Sequence, residues 1–358
     1  MSANGKAPVR VWAGVALIAI ALVILPFIAA FAGQAWVRIL NFAMVYIMLA
    51  LGLNIVVGFA GLLDLGYIAF YAVGAYMYAL LSSPHFNIHL PFWVVLPMGA
   101  GLACIFGVLL GAPTLKLRGD YLAIVTLGFG EIIRIFLNNL NAPVNVTNGP
   151  QGVNLIDPFR IGSFSFARAE VIGGVYLSGP QKYYYVLLLL TLGIVVVNIR
   201  LQNSRLGRAW EAIREDEVAA KAMGINTRNV KLLAFAMGAS FGGVAGGIFS
   251  ATQQFVSPES FGLFESIIVL SMVVLGGMGN IPGVILGAIL LTLLPEVLRY
   301  TMEPLQNALF GRVLLDAETV RLLVFGIALV AIMLYRPAGL WPSAVRKREL
   351  EVPKTDTV

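Results

Sequence analysis

The sequence predicts an all-α polytopic membrane protein with about ten transmembrane helices, some of them broken, and with both termini in the cytoplasm. Three observations predict it. Hydrophobic residues make up 59% of the 358 residues and charged residues 12%, against roughly 25% charge in an ordinary soluble domain. Apolar runs close to the roughly 20 residues that cross a hydrocarbon core recur along the chain. The basic residues gather on alternate connections between those runs. This composition excludes a soluble enzyme, a nucleic-acid-binding domain and a disordered chain. The net charge of +6 marks cytoplasmic loops rather than a nucleic-acid surface. The sole cysteine, Cys104, leaves no partner for an intrachain disulfide and no Cys-based metal cluster.

The apolar runs place spans at about 11–31, 36–56, 66–82, 91–113, 120–138, 183–199, 231–252, 264–280, 283–300 and 320–336. The first is too long for a signal peptide and no small-residue cleavage site follows it. The third and the eighth–ninth pair are interrupted by glycines, as expected of broken or re-entrant segments. Sixteen basic residues fall on one side, with Lys6 and Arg10, Lys116 and Arg118, Arg200 to Lys231, and Arg336 to Lys354. Four fall on the other (Arg160, Arg168, Lys182, Arg312), with Arg38 and Arg321 at the boundary. The positive-inside rule then puts residues 1–10 and the tail 343–358 in the cytoplasm and makes 11–342 the membrane domain.

Two connections are long. Residues 139–182 face outward; Asn145, Asn148, Gly149, Pro150, Asp157 and Pro158 are turn formers, and the weak alternation from Ile161 to Val175 fits a short hairpin or helix. Residues 200–230 face inward. Their Ala, Glu, Arg and Lys content favours helix, Trp210, Ile213, Ala220 and Met223 fall on helical spacings, and Gly224 is a natural helix stop. Such a helix can rest on lipid headgroups or dock on a cytoplasmic protein. The cluster Glu215-Asp216-Glu217 disfavours the anionic inner leaflet and favours a protein groove.

Charges at membrane depth are rare and are functional candidates. Glu131 and Arg134 lie three apart and can share a helix face, as can Glu296 and Arg299; both pairs equally suit structural ion pairs near an interface. Asp64 sits in a Gly-rich turn, where a path role and a helix cap are both open. The two Gly-interrupted segments, 58–66 and 276–283, lie in the two halves of the chain, the best sequence pointer to a translocation path. Gly58, Gly61, Asp64, Gly66, Glu131, Gly276, Gly277, Gly279 and Asn280 are the path candidates. Gly238, Gly242 and Gly246 repeat every four residues, with Gly243 and Gly247 in a parallel row, and predict close helix packing. Gly276-Gly277-x-Gly279 lacks the Gly-Lys-Ser/Thr that a nucleotide loop needs. His85 and His89 are spaced i, i+4 without an adjoining acid or cysteine, which argues against zinc.

Residues 208–217, Arg-Ala-Trp-Glu-Ala-Ile-Arg-Glu-Asp-Glu, resemble the coupling loop of ABC importer permeases. Val218-Ala219-Ala220-Lys221-Ala222-Met223-Gly224 matches the motif Glu-Ala-Ala-x-x-x-Gly with the glutamate displaced to Glu217. Gly58 to Gly66, Ala69-Phe70, Gly74 to Tyr76, Leu117 to Gly128, Gly276 to Gly283 and Arg336 to Trp341 agree, in order, over about residues 40–342. The chain is similar to the LivM-type permease subunits of high-affinity branched-chain amino acid importers. The resemblance implies the ABC importer permease fold and a non-catalytic subunit without cofactor, working with a second homologous permease, two cytoplasmic ATPases and a periplasmic binding protein in the bacterial inner membrane. It implies an ATPase-coupling role for Arg208, Glu211, Glu215, Asp216, Glu217, Ala219, Ala220, Gly224 and Ile225. A urea or short-amide importer subunit resembles it closely. An ion-coupled secondary transporter, resting on Glu131 and Asp64, leaves the charged 200–230 loop unexplained.

Overall fold

A computed structural model describes residues 7–310 except 116, 118, 163 and 173, and beyond them positions 320, 323–324, 326–327, 330–331, 334–335 and 339–341. The expected tenth span, 320–336, lies largely outside the described residues. So do the tail 343–358, residues 1–6, Lys116, Arg118 and Arg336.

The chain opens on α1 (Ala7–Ala32), and Gly33, at φ 126°, turns it into α2 (Gln34–Asn54). One π turn follows at Ile55–Phe59, and the chain then runs as loop to α3 (Ile68–Leu81). A short ladder pairs β1 (Ser82–Ser83) with β2 (Ile88–His89). The chain continues into α4 (Phe92–Thr114) and α5 (Asp120–Asn139). The long segment that follows carries β3 (Val153–Asn154), the hairpin of β4 (Arg160–Ile161) with β5 (Phe164–Ser165), and the hairpin of β6 (Glu170–Ile172) with β7 (Val175–Leu177). The expectation of a short hairpin or helix there resolves into two hairpins. Then come α6 (Gly179–Gln202), α7 (Arg205–Glu215), α8 (Glu217–Ala222) and α9 (Thr227–Gln253). Next, β8 (Phe255–Val256) pairs with β3 and ties the end of α9 to the 139–182 segment. The described elements end with α10 (Leu263–Gly276) and α11 (Ile281–Phe310).

Each of the first nine expected spans coincides with a helix, but the expected number of crossings is not met among the described residues. Six helical segments are long and apolar enough to cross: Gln34–Phe59, Phe92–Thr114, Gly179–Gln202, Thr227–Gln253, Pro258–Gly276 and Ile281–Ala308. The expected third span is the clearest departure. At 14 residues, α3 extends about 21 Å, short of the roughly 30 Å hydrocarbon core. It is a half-helix entered through an irregular loop and is almost wholly buried.

α9 runs through the middle, against α2, α3 and α4. Its glycines make this close approach feasible. A Cβ on Gly246 would lie 2.1 Å from the Tyr71 carbonyl oxygen, and one on Gly238 would lie 2.7 Å from Val56 Cγ2. Gly242 faces Phe70 and Tyr67, while Gly243 and Gly247 face α4. The glycine rows thus pack helices within this chain.

Candidate functional site: the loop helices and the two broken segments

The 200–230 loop is built from capped short helices. The Ser204 hydroxyl accepts from the Leu206 and Gly207 amides and starts α7. The Asp216 carboxylate accepts from the Val218 and Ala219 amides and starts α8, so the two helices meet without a linker. Gly224, at φ 87°, ends α8, and the Ile225 amide closes onto the Ala220 carbonyl at 3.1 Å. The Asn226 side chain then caps α9.

Trp210 is fully buried, and its indole N–H donates to the Val230 carbonyl at 2.7 Å, pinning α7 to α9. Ile213 and Ala220 are buried on the same side. Glu217 pairs with the buried Lys231 at 2.7 Å. Arg208, Glu211, Glu215 and Asp216 are exposed, as is Ala219. Among them stand two uncovered apolar side chains, Val218 at 69% and Met223 at 84% exposure. Exposed apolar groups and exposed charges thus share one capped loop element.

The opposite face of α7 reaches into the membrane domain through Arg214. Its guanidinium donates to the Gly58 carbonyl at 2.6 Å. A Cβ on Gly61 would sit 2.8 Å from Arg214 Cγ, and one on Gly279 would sit 3.1 Å from Arg214 Nη1. The two broken segments meet at this point. Asn54 Oδ1 accepts from the Gly279 amide at 2.9 Å, and Gln202 reaches the Gly279 carbonyl at 3.4 Å. A side chain on Gly58 would collide with Asn54 Oδ1 at 2.0 Å and with the Gly279 amide at 2.6 Å. Glycine at both positions lets the two backbones and one arginine share the space.

The remaining path candidates fall into separate groups. Gly66 presses on α5, where a Cβ would lie 1.9 Å from the Thr126 carbonyl oxygen. Asp64 is 1% exposed; its Oδ1 accepts from the Gly66 amide at 2.9 Å, and its Oδ2 has no hydrogen-bond partner. Glu131 pairs with Arg134, which also approaches Glu259 at 3.4 Å. Glu296 and Arg299 likewise pair. Gly276 packs on Gly283. Residues 339–341 dock beside it: Gly339 against Gly277, the Trp341 amide onto the Gly276 carbonyl at 3.1 Å, and the Asn280 amide onto the Trp341 carbonyl at 2.7 Å. His89 meets Asp157, a residue remote in sequence.

Sequence reading did not single out Asn54, Gln202 or Arg214 as site residues. Asn54 carried a usable signal, a polar residue inside the apolar run Leu51 to Val57, where an amide needs a specific partner. Nothing in the spacing of Arg214 sets it apart from the other loop arginines.

The family model described as branched-chain amino acid transport system / permease component matches residues 35–345. The high-affinity branched-chain amino acid transport system permease protein LivM of Escherichia coli (strain K12) is 45% identical over 319 residues, covering 86% of this chain and 70% of that protein. A probable LivM of Methanocaldococcus jannaschii is 27% identical over 281 residues, covering 76% of this chain and 74% of that protein. The permease protein LivH of Escherichia coli (strain K12) is 25% identical over 251 residues, 69% of this chain and 79% of that protein. No solved structure matches the chain. These relatives are permease proteins of branched-chain amino acid transport systems, and the chain belongs to the branched-chain amino acid transport permease family.

Proposed function

We propose that this chain is one permease subunit of an ATP-driven importer that carries branched-chain amino acids across the bacterial inner membrane. Its partners are a second, homologous permease, two cytoplasmic ATPases and a periplasmic binding protein; the ATPases supply the hydrolysis. In this reading α7 and α8 face the cytoplasm with both chain termini, as the excess of basic residues on that side supports. Residues 139–182 face the binding protein. Val218 and Met223, together with the exposed Arg208, Glu211, Glu215 and Asp216 of the same loop, are the docking surface for an ATPase.

The observation that carries the mechanism is the Arg214 contact. An ATPase that closes beneath α7 and α8 moves a helix pair joined directly at Asp216. Arg214 transmits that displacement to the Gly58 carbonyl and, through Asn54, to the Gly279 backbone. Both broken segments then shift together, so the path opens to one side at a time. Rigid elements with two arrangements, linked by a hydrogen bond, are the physical basis of such coupling.

Arg214→Ala tests this. Losing a charged donor to a buried carbonyl costs roughly 1.5–3 kcal/mol. Leucine uptake by cells carrying the variant is expected to fall at least about tenfold, while the importer still assembles and still hydrolyses ATP. Uptake at the wild-type rate would remove Arg214 from the mechanism.

A further inference from the structure

On the side of the molecule that carries the 139–182 segment, a cavity of about 490 Å³ opens between α2, α6 and the end of α9. This is within the range of small-ligand sites, roughly 300–1,000 Å³. Its chemistry is asymmetric. Among the described residues, Arg38 is the one charged side chain lining it, and no carboxylate does. One turn further along α2 lies Asn41, only 8% exposed. The Asn41 amide nitrogen donates to the Pro180 carbonyl at 2.9 Å. That carbonyl can only accept, so the orientation of the amide is fixed. Asn41 Oδ1 is therefore left buried without a hydrogen-bond partner. An orphaned buried acceptor is costly, and a donor that reached it from the cavity, which Asn41 lines, would relieve that cost. Phe42 and Phe249, with ring centroids 6.3 Å apart, and Val45 supply an apolar wall. Gln253 and Gln254 add neutral polar groups at the rim.

We propose that this cavity is an entry site for an apolar zwitterion. Arg38 takes the carboxylate, Asn41 Oδ1 takes the ammonium, and the aliphatic side chain lies on Phe42, Val45 and Phe249. Residues three apart on a helix have Cβ atoms about 5–6 Å apart, so one arginine and one amide carbonyl can grip two neighbouring charges of a single small molecule. The proposal rests on the transport of branched-chain amino acids proposed above and places the first contact of the substrate with this subunit. An ethanolamine phospholipid presents the same chemistry, an anion beside an ammonium with apolar chains, so the test separates the two sources.

The experiment measures saturable binding of labelled L-leucine to the assembled importer in nanodiscs, prepared with and without phosphatidylethanolamine. L-leucinamide, which lacks the carboxylate, and 4-methylpentanoate, which lacks the ammonium, serve as competitors. Leucine is expected to bind equally in both lipid mixtures, and each competitor to displace it at least about tenfold more weakly than leucine does. Arg38→Gln should weaken leucine about 10- to 100-fold while leaving leucinamide unchanged, and Asn41→Leu should weaken leucine and leucinamide alike. The selective effect of Arg38→Gln is one that a folding defect would not produce. Leucine binding unaffected by either substitution overturns the site. So does an absence of saturable leucine binding, or an Arg38-dependent retention of phosphatidylethanolamine in its place. Leucine uptake in cells lacking this chain separates the two levels. If that uptake falls while Arg38→Gln binds and transports normally, the importer stands and the entry site is wrong. If uptake does not depend on the chain, the transport proposal fails and the entry site fails with it.

Discussion

Glu217 is where the resemblance and the structure give the most different accounts of one residue. By motif it is the displaced glutamate of a coupling loop, which suggests contact with an ATPase. In the fold it is half-buried and joined to Lys231 at 2.7 Å, so it holds α8 onto the second turn of α9. Partly buried pairs are costly to break on one side, because the remaining charge is left uncompensated. Glu217→Lys would set two ammonium groups against each other and is expected to abolish uptake with membrane insertion intact. The double variant Glu217→Lys with Lys231→Glu restores the pair and is expected to recover a substantial part of the activity, read as leucine uptake. If Glu217 acts by touching the ATPase instead, the reversal recovers nothing. Arg214 teaches the complementary lesson: its role comes from where α7 points, and sequence spacing does not contain that direction.

At the scale of elements, legibility followed the physical source of each feature. α4, α6 and α9 were readable because a largely apolar run close to 20 residues long has few other destinations. The break after α2 was readable only as a cluster of glycines; that the chain restarts as a 14-residue half-helix depends on Gly66 seating against Thr126, a contact between α5 and a loop 60 residues earlier. Hydropathy cannot report such a contact, which is why the third segment was expected to cross. The glycine rows of α9 were legible as packing, and the structure shows what they pack against. A side chain on Gly246 would meet the backbone of Tyr71 and Ala75, which cannot rotate away. Gly246→Val is therefore expected to destabilise the detergent-solubilised protein by at least about 1–3 kcal/mol, seen as a lowered midpoint of thermal unfolding. Gly193→Ala, on the exposed face of α6 with nothing within 4 Å of its Cβ, should leave that midpoint unchanged or slightly raised. Equal effects at the two positions would mean that α9 does not pack as described.

On the scale of the whole molecule, two of the uncovered apolar surfaces among the described residues bear on function. One is the broad lipid-scale face formed by residues such as Leu17, Ile20 and Ile28 on α1 and Leu189, Leu192 and Val196 on α6, as expected where the surroundings are hydrocarbon. The other is small and sits at Val218 and Met223, on the same charged loop as the exposed Arg208, Glu211 and Glu215. In the importer proposed above, this patch is the seat of an ATPase. Mild-detergent capture of the full-length chain from native membranes, with partners identified by mass spectrometry, is therefore expected to return a second permease and two ATPases. Val218→Asp combined with Met223→Asp should release the ATPases and retain the permease, since the substitutions touch only the loop surface. Recovery of the chain alone in a transport-competent state would refute the division of labour proposed here. It would turn attention to Asp64, the one buried carboxylate beside the broken segment with an oxygen left unpaired.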